Sequence, residues 1–256
     1  MNRPNNGYPA WKLYWETRLG QNPNLCGTGH RQFSLAYNEA MYQVATKNLE
    51  AVLARNKLDL TGKQILDIGP GSGYFVQKYL EWGAAHVTGV DIADMSVQLL
   101  QQAFPQHAFV QGDISHKTFA MPVQYDLVTA ISVIFHIVED VKFKQALTNM
   151  CNAVRPGGHL LLVDAFHQPA FLTAQHVRLR SLNHYIPSLE AHQIEICVLH
   201  PMYYLMGKTF IPFIGPKLLS HPAVLRLLLK LEHWLSTRIP PPPGWLQYLI
   251  ARRQVT

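Results

Sequence analysis

From Gly62 onward, short apolar runs alternate with amphipathic stretches, and this alternation limits the chain to few folds. QILDIG, HVTGVD, HAFVQGD, YDLVTAIS and HLLLVDAF read as strands. GYFVQKYLEW, DMSVQLLQQAF and DVKFKQALTNMCNAV read as helices between three of the strand pairs, while the link after Asp113 shows no clear helix. Near-continuous apolar strands joined by helices belong to a parallel sheet covered on both faces. RPGG, at Arg155 to Gly158, stops a helix just before the fifth strand. After Phe166 come a loop, a helix over Ser181–Ala191 containing Pro187, the strand QIEICVLH, and a final run, WLQYLIARR, that closes the sheet. The expected fold is α/β: a Rossmann-like, seven-stranded, mostly parallel sheet with helices on both faces.

Two further segments flank this core. Residues 1–61 read as an N-terminal helical cap, in which Trp11, Tyr14, Trp15 and Leu19 share one helical face. A second helix begins at Ser34 as its N-cap, after the turn-rich loop NPNLCGTGHRQ. The core is expected over 62–256, with a helical insertion at 201–244 that ends in a proline-rich stop, IPPPPG. His176, His184, His192 and His200 recur every eight residues, which is no whole number of helical turns, and they receive no role.

Composition narrows the function classes. With 48% hydrophobic and 15% charged residues, the chain has material for a sizeable core and does not read as disordered. Its three cysteines, Cys26, Cys151 and Cys197, are far apart and form neither a disulfide framework nor a zinc pattern. No secretory signal or membrane-length apolar run is read, so a cytoplasmic location is expected. The net charge of +6 comes from the last third, where basic residues outnumber acidic ones. That excess fits a solvated basic face, or a surface for acidic partners or headgroups; no nucleic-acid-binding motif accompanies it.

The turn after the first strand carries the clearest chemical signal. Gly69, Gly71 and Gly73 allow a backbone to approach a ligand closely. A dinucleotide fingerprint would need a third glycine where Tyr74 stands, and a phosphate loop would need a Lys-Ser/Thr pair that is absent. Asp67, Asp91 and Asp113 end three successive strands and converge on the crevice where open α/β sheets bind ligands.

ILDIGPGSG, VTGVDIA, QGDI, YDLVTAISVIFHI and VRPGGHLLLVD, in that order, resemble the motifs of class I S-adenosylmethionine-dependent methyltransferases. The likeness covers roughly Gly62 to Phe166. It implies S-adenosyl-L-methionine as cofactor, with Gly69 and Gly71 as the floor and Asp67 toward the amino group. It also implies Asp91 on the ribose, Ile92 on the adenine face, Asp113 and Ile114 at the adenine edge, and Ile131 and Ser132 below the sulfonium. YWETR, GTGH and AYN resemble the cap of some bacterial small-molecule methyltransferases, which implies Arg18 at the cofactor carboxylate and Tyr14 or Trp15 over the methionine.

Methyl transfer to a hydroxyl or an ammonium requires removal of a proton, and histidine suits that task near neutral pH. His136, after the fourth strand, is the candidate base. Tyr14, Phe166, His167 and Tyr203 are candidates to line an acceptor pocket, and no metal is expected. Three readings stand open: a small-molecule methyltransferase acting on oxygen or nitrogen of an apolar or aromatic acceptor, a lipid-directed one using the basic helix AVLRLLLKLEHWL, and a non-catalytic S-adenosylmethionine-binding protein. The partner expected is the small acceptor, without nucleic acid or a stable membrane span; oligomeric state is left open.

Overall fold

Buried apolar strands and the helices that cover them give the architecture, and the computed structural model describes it for residues 10–166, 171–174, 176–206, 215–238 and 246–255. In chain order the elements begin with α1 (Ala10–Gln21), α2 (Leu25–Thr28) and α3 (Leu35–Arg55). Then come β1 (Gln64–Ile68), α4 (Tyr74–Glu81), β2 (His86–Asp91), α5 (Asp94–Ala103) and β3 (Ala108–Gln111). They continue with β4 (Tyr125–Ala130), α6 (Asp140–Ala153), β5 (Val154–Asp164), β6 (Phe171–Ala174) and β7 (Val177–Leu179). The last are α7 (Ile186–Ala191), β8 (Ile194–Pro201), α8 (Pro216–Leu219), α9 (Pro222–Arg238) and β9 (Gln247–Arg253).

The main sheet has seven strands in the order β3-β2-β1-β4-β5-β9-β8. β1 to β5 run parallel, whereas β9 is antiparallel to both β5 and β8. The expected seven-stranded, mostly parallel sheet is present. Strand order reverses between β1 and β4, and in such sheets a ligand crevice lies at the carboxyl ends on either side of that point. One core cluster, with Tyr37, Leu49, Val76 and Tyr248, packs α3 and α4 on one face. The other, with Leu66, Phe143, Leu147 and Leu160, packs α6 and α7 on the opposite face.

One point that the sequence left open is resolved, and two local expectations change. Between β3 and β4 the chain crosses without a helix; the Asp113 carboxylate accepts from Ser115 N at 2.8 Å and Ser115 Oγ at 2.6 Å, a turn that breaks any helix there. The segment after β5 includes an antiparallel hairpin, β6–β7, in addition to loop. The helix expected over 181–191 divides into a 3₁₀ turn, Leu182–His184, and α7, with Pro187 in α7's first turn, where its missing N–H leaves no bond unmade. The polyproline stop lies outside the described residues.

The cap is held by Asn38, whose side chain is fully buried in α3. Its Oδ1 accepts from His30 N at 2.7 Å, and its Nδ2 donates to His30 O at 3.1 Å and Ser34 O at 3.0 Å. Ser34 caps α3 as expected, accepting from Tyr37 N. Asn38→Ala leaves buried backbone groups without partners, so it is expected to lower unfolding stability by about 1–3 kcal/mol, measured by urea denaturation. A change within experimental error contradicts that role.

Candidate functional site

The turn between β1 and α4 is built from left-handed backbone. Gly69, Gly71 and Gly73 have φ of +69°, +57° and +83°, a region that residues with a Cβ enter only at a cost. Space is closed there too. A Cβ on Gly69 would stand 2.5 Å from Val133 Cγ2, and one on Gly71 would stand 2.6 Å from Thr28 Cγ2. Each glycine therefore also serves the chain's own packing, and Gly71 is where the cap lands. Thr28 Oγ1 lies 3.3 Å from Ser72 Oγ and accepts from Tyr42 Oη at 3.0 Å. Tyr74 turns toward the cap, its hydroxyl 3.0 Å from Thr46 Oγ1 on α3.

The strand-end acids do different work. Asp91, buried at the end of β2, accepts from Gly71 N at 3.1 Å with Oδ2 and from Ala93 N at 2.9 Å with Oδ1. A carboxylate offers about four acceptor sites, so two such bonds leave capacity for hydroxyl donors in the crevice. Burial raises its pKa, backbone hydrogen bonds oppose the rise, and Glu16 adds to it. Asp67, on β1, accepts from Thr129 Oγ1 at 2.7 Å. Burial pushes its carboxyl up to about 7; the Thr129 hydrogen bond opposes this and the charge of Asp91 reinforces it. Asp113 is half-buried and tied to its turn, while Ile114 beside it is buried and Ile92 is half-buried. Ile131 is buried at the end of β4. Ser132, next to it, holds φ of +59°, a strained conformation for a residue with a side chain and one that clusters at functional sites.

On the other side of the switch point, α1 and the β6–β7 hairpin bring aromatic rings together over the turn that follows β4. His136 ends a 3₁₀ turn, Ile134–His136. Its ring lies 5.5 Å from that of His176, nearly parallel at 7°, and 5.0 Å from Trp15, edge-on at 77°. Tyr14 lies 4.7 Å from His176. Nδ1 of His136 is 2.8 Å from the carbonyl oxygen of His176. A carbonyl only accepts, so Nδ1 carries the proton and a neutral ring keeps its lone pair on Nε2. His176 was passed over in the sequence because nothing local marks it; only the hairpin places it against His136.

Arg18 is buried on α1. It donates to Tyr14 Oη at 2.9 Å, Cys26 O at 3.2 Å and Gly29 O at 2.7 Å, and stacks over Tyr14 and Trp15. A guanidinium has five donors, so these bonds fix its position without exhausting it. Phe166 is buried at the end of β5 with φ of +47°, edge-on to Tyr185. Tyr203 is buried in the core cluster that also holds Tyr37 and Tyr248 on the α3 face, apart from the His136 aromatic group. His167 lies outside the described residues. Asp164 is fully buried and accepts from Tyr185 Oη and from Ala165 N at 2.6 Å. Among the described residues no group of three or more His, Cys, Asp or Glu side chains is placed to hold a metal ion.

Comparisons with known proteins bear on the fold and the family. Residues 65–158 match the family model described as a methyltransferase domain. A tRNA U34 carboxymethyltransferase of Idiomarina loihiensis is 36% identical over 114 residues, 41% of this chain and 33% of that protein. A ubiquinone biosynthesis O-methyltransferase of Neisseria meningitidis is 30% identical over 105 residues, 39% of this chain and 43% of that protein. The chain thus spans less than half the length of these two curated relatives. Among solved structures, the magnesium protoporphyrin IX methyltransferase of Synechocystis PCC 6803 with bound SAM superposes with a TM-score of 0.60 at 14% identity, covering 97% of this chain and 100% of that one. At that identity the likeness establishes the fold.

Asp67 generates a pH prediction. Burial raises the Asp67 pKa to about 7 in the folded protein, whereas the unfolded chain ionises at the ordinary aspartate value, near 3.8. Between those values the folded state binds more protons, so this group's contribution to stability falls as pH rises across that window. Asp67→Asn stays neutral and is expected to gain stability relative to wild type between about pH 4 and pH 8 in urea unfolding. A difference independent of pH contradicts the assignment.

Proposed function

We propose that the chain transfers a methyl group from S-adenosylmethionine to an oxygen or nitrogen of a small apolar or aromatic molecule; the match of residues 65–158 to a methyltransferase-domain model and the shared fold support this reading. The observation that carries this reading is the pairing of two arrangements across the switch point. On one side, Asp91 is bonded to the glycine turn. On the other, His136 has its tautomer fixed by a backbone carbonyl and is packed among aromatic rings.

The residues present suit the cofactor. Asp91 has acceptor capacity for ribose hydroxyls, Ile92 offers an apolar face for the adenine, and Asp113 with Ile114 stands at its edge. Gly69 and Gly71 would form the floor, Asp67 would face the amino group, and Arg18 would meet the carboxylate. Ile131 and Ser132 would lie on the sulfonium side. When bound, S-adenosylmethionine supplies an electrophilic methyl on a positively charged sulfur. This chain's part is to align the acceptor with it and to exclude water, which accounts for much of the acceleration in a displacement of this kind. His136 Nε2 would accept the proton that the acceptor's oxygen or nitrogen loses, and the Nδ1–H bond to His176 O holds the ring in place. Tyr14, Trp15 and His176 pack around His136 as an aromatic lining for the acceptor, with Phe166 assigned to its edge, whereas Tyr203 belongs to the core. Three free cysteines fit a cytoplasmic location.

Transfer of labelled methyl groups to a panel of phenols, amines and unmodified tRNA tests both the activity and the acceptor class. With a hydroxyl acceptor, His136→Ala is expected to lower kcat by about 10²–10⁴-fold. Full turnover in that variant overturns the base assignment, and labelling of tRNA alone overturns the small-molecule reading.

A further inference from the structure

Helix α9 has one face that the fold explains and one that it does not. On the inner face, Leu225 is buried, Leu228 and Leu229 pack against the core, and Glu232 is 2% exposed. The Glu232 carboxylate accepts from Tyr204 N at 2.5 Å, Leu205 N at 2.6 Å and Met206 N at 3.2 Å. A carboxylate gathering three backbone donors pins the helix to the segment after β8, so the orientation of α9 is fixed by its buried side.

The outer face is exposed and apolar. Leu227 is 57% exposed, Leu231 42% and Trp234 47%, and Leu218 on the short helix α8 is 56% exposed. With about 100° per residue, Leu227, Leu231 and Trp234 fall on one strip, and Arg226, Lys230 and His233 fall along its flank. Arg238 stacks over Trp234 at 5.4 Å. The single acid of α9, Glu232, is turned inward, so the exposed face of the helix carries cations and no carboxylate. Scattered exposed leucines are ordinary, but an apolar strip with a basic flank on one helix marks an interaction surface.

We propose that α9 seats the protein on an anionic lipid bilayer, lying in the plane of the interface. Charge complementarity selects this occupant. Leucine and tryptophan side chains enter the headgroup boundary while arginine and lysine beside them meet lipid phosphates, which is the arrangement of an interfacial helix. Among the described residues no helix is long and apolar enough to cross a membrane, and the proposed contact is made by the outer face of α9. This inference concerns a surface separate from the His136 site, and it holds or fails independently of methyl transfer.

The test is co-sedimentation of the full chain with phosphatidylcholine vesicles, with and without phosphatidylglycerol, at low and high salt. Wild type is expected to pellet with the anionic vesicles and to be released by salt. Leu227→Gln/Leu231→Gln and, separately, Trp234→Ala are expected to abolish pelleting. Arg226→Gln/Lys230→Gln is expected to weaken it at least about fivefold. These side chains are exposed, so the variants should keep the wild-type circular dichroism. Three results overturn the proposal: wild type remaining in solution with every vesicle, equal binding with and without anionic lipid, or a dimer that the apolar variants split while no vesicle binds.

Discussion

The Asp91 carboxylate is the point on which the site depends. One oxygen holds the Gly71 amide and the other the Ala93 amide, so a single side chain joins the end of β2 to the glycine turn and to the start of α5. Ser96 Oγ reinforces the join from α5 by donating to Gly71 O at 2.8 Å. Burying an acid here raises its pKa, and the cost is offset by bonds that a neutral side chain would make less well. The carboxylate is thus an acceptor already fixed by its own structural bonds. Such fixing reduces the reorganisation that binding would otherwise require.

The N-terminal cap is bonded to α5 and to the glycine turn. Glu16 on α1 accepts from Asp94 N at 2.6 Å and Met95 N at 3.1 Å, and Lys12 pairs with Asp94 at 2.8 Å. Ala93, the N-cap residue of α5, has no side chain able to cap, so the helix borrows its cap from α1. The same helix carries Trp15 to His136 and Arg18 to the loop that lands on Gly71. One short helix therefore touches both halves of the site. This arrangement explains why the cap is packed with buried polar bonds, Asn38 chief among them, and does not rest on apolar contact alone.

Much of the sheet was legible in the sequence, because β1, β2, β4 and β5 are buried on both faces and read as apolar runs with glycine or acid at their ends. The helix-free link to β4 was open in sequence, since its turn depends on Asp113 and Ser115 bonding locally. The β6–β7 hairpin was not legible; its strands are only four and three residues long. For the same reason His176 carried no signal, although it supplies the carbonyl that orients His136. Tyr203 shows the opposite case. An aromatic in an insertion resembles a pocket residue, yet burial among Tyr37 and Tyr248 places it in the core. The glycines of the turn were legible as left-handed positions, but their second purpose, making room for Val133 and Thr28, required the fold.

We propose that Asp91 and the glycine turn it holds bind an S-adenosyl group. Calorimetric titration of S-adenosylmethionine and S-adenosylhomocysteine into wild type and Asp91→Asn tests it most directly, because the amide is close to isosteric but lacks the charge and one acceptor oxygen. The account predicts saturable binding of both compounds to wild type, weakened at least about tenfold in a folded Asp91→Asn protein. Equal affinity in the two proteins, or no binding to folded wild type, would contradict it.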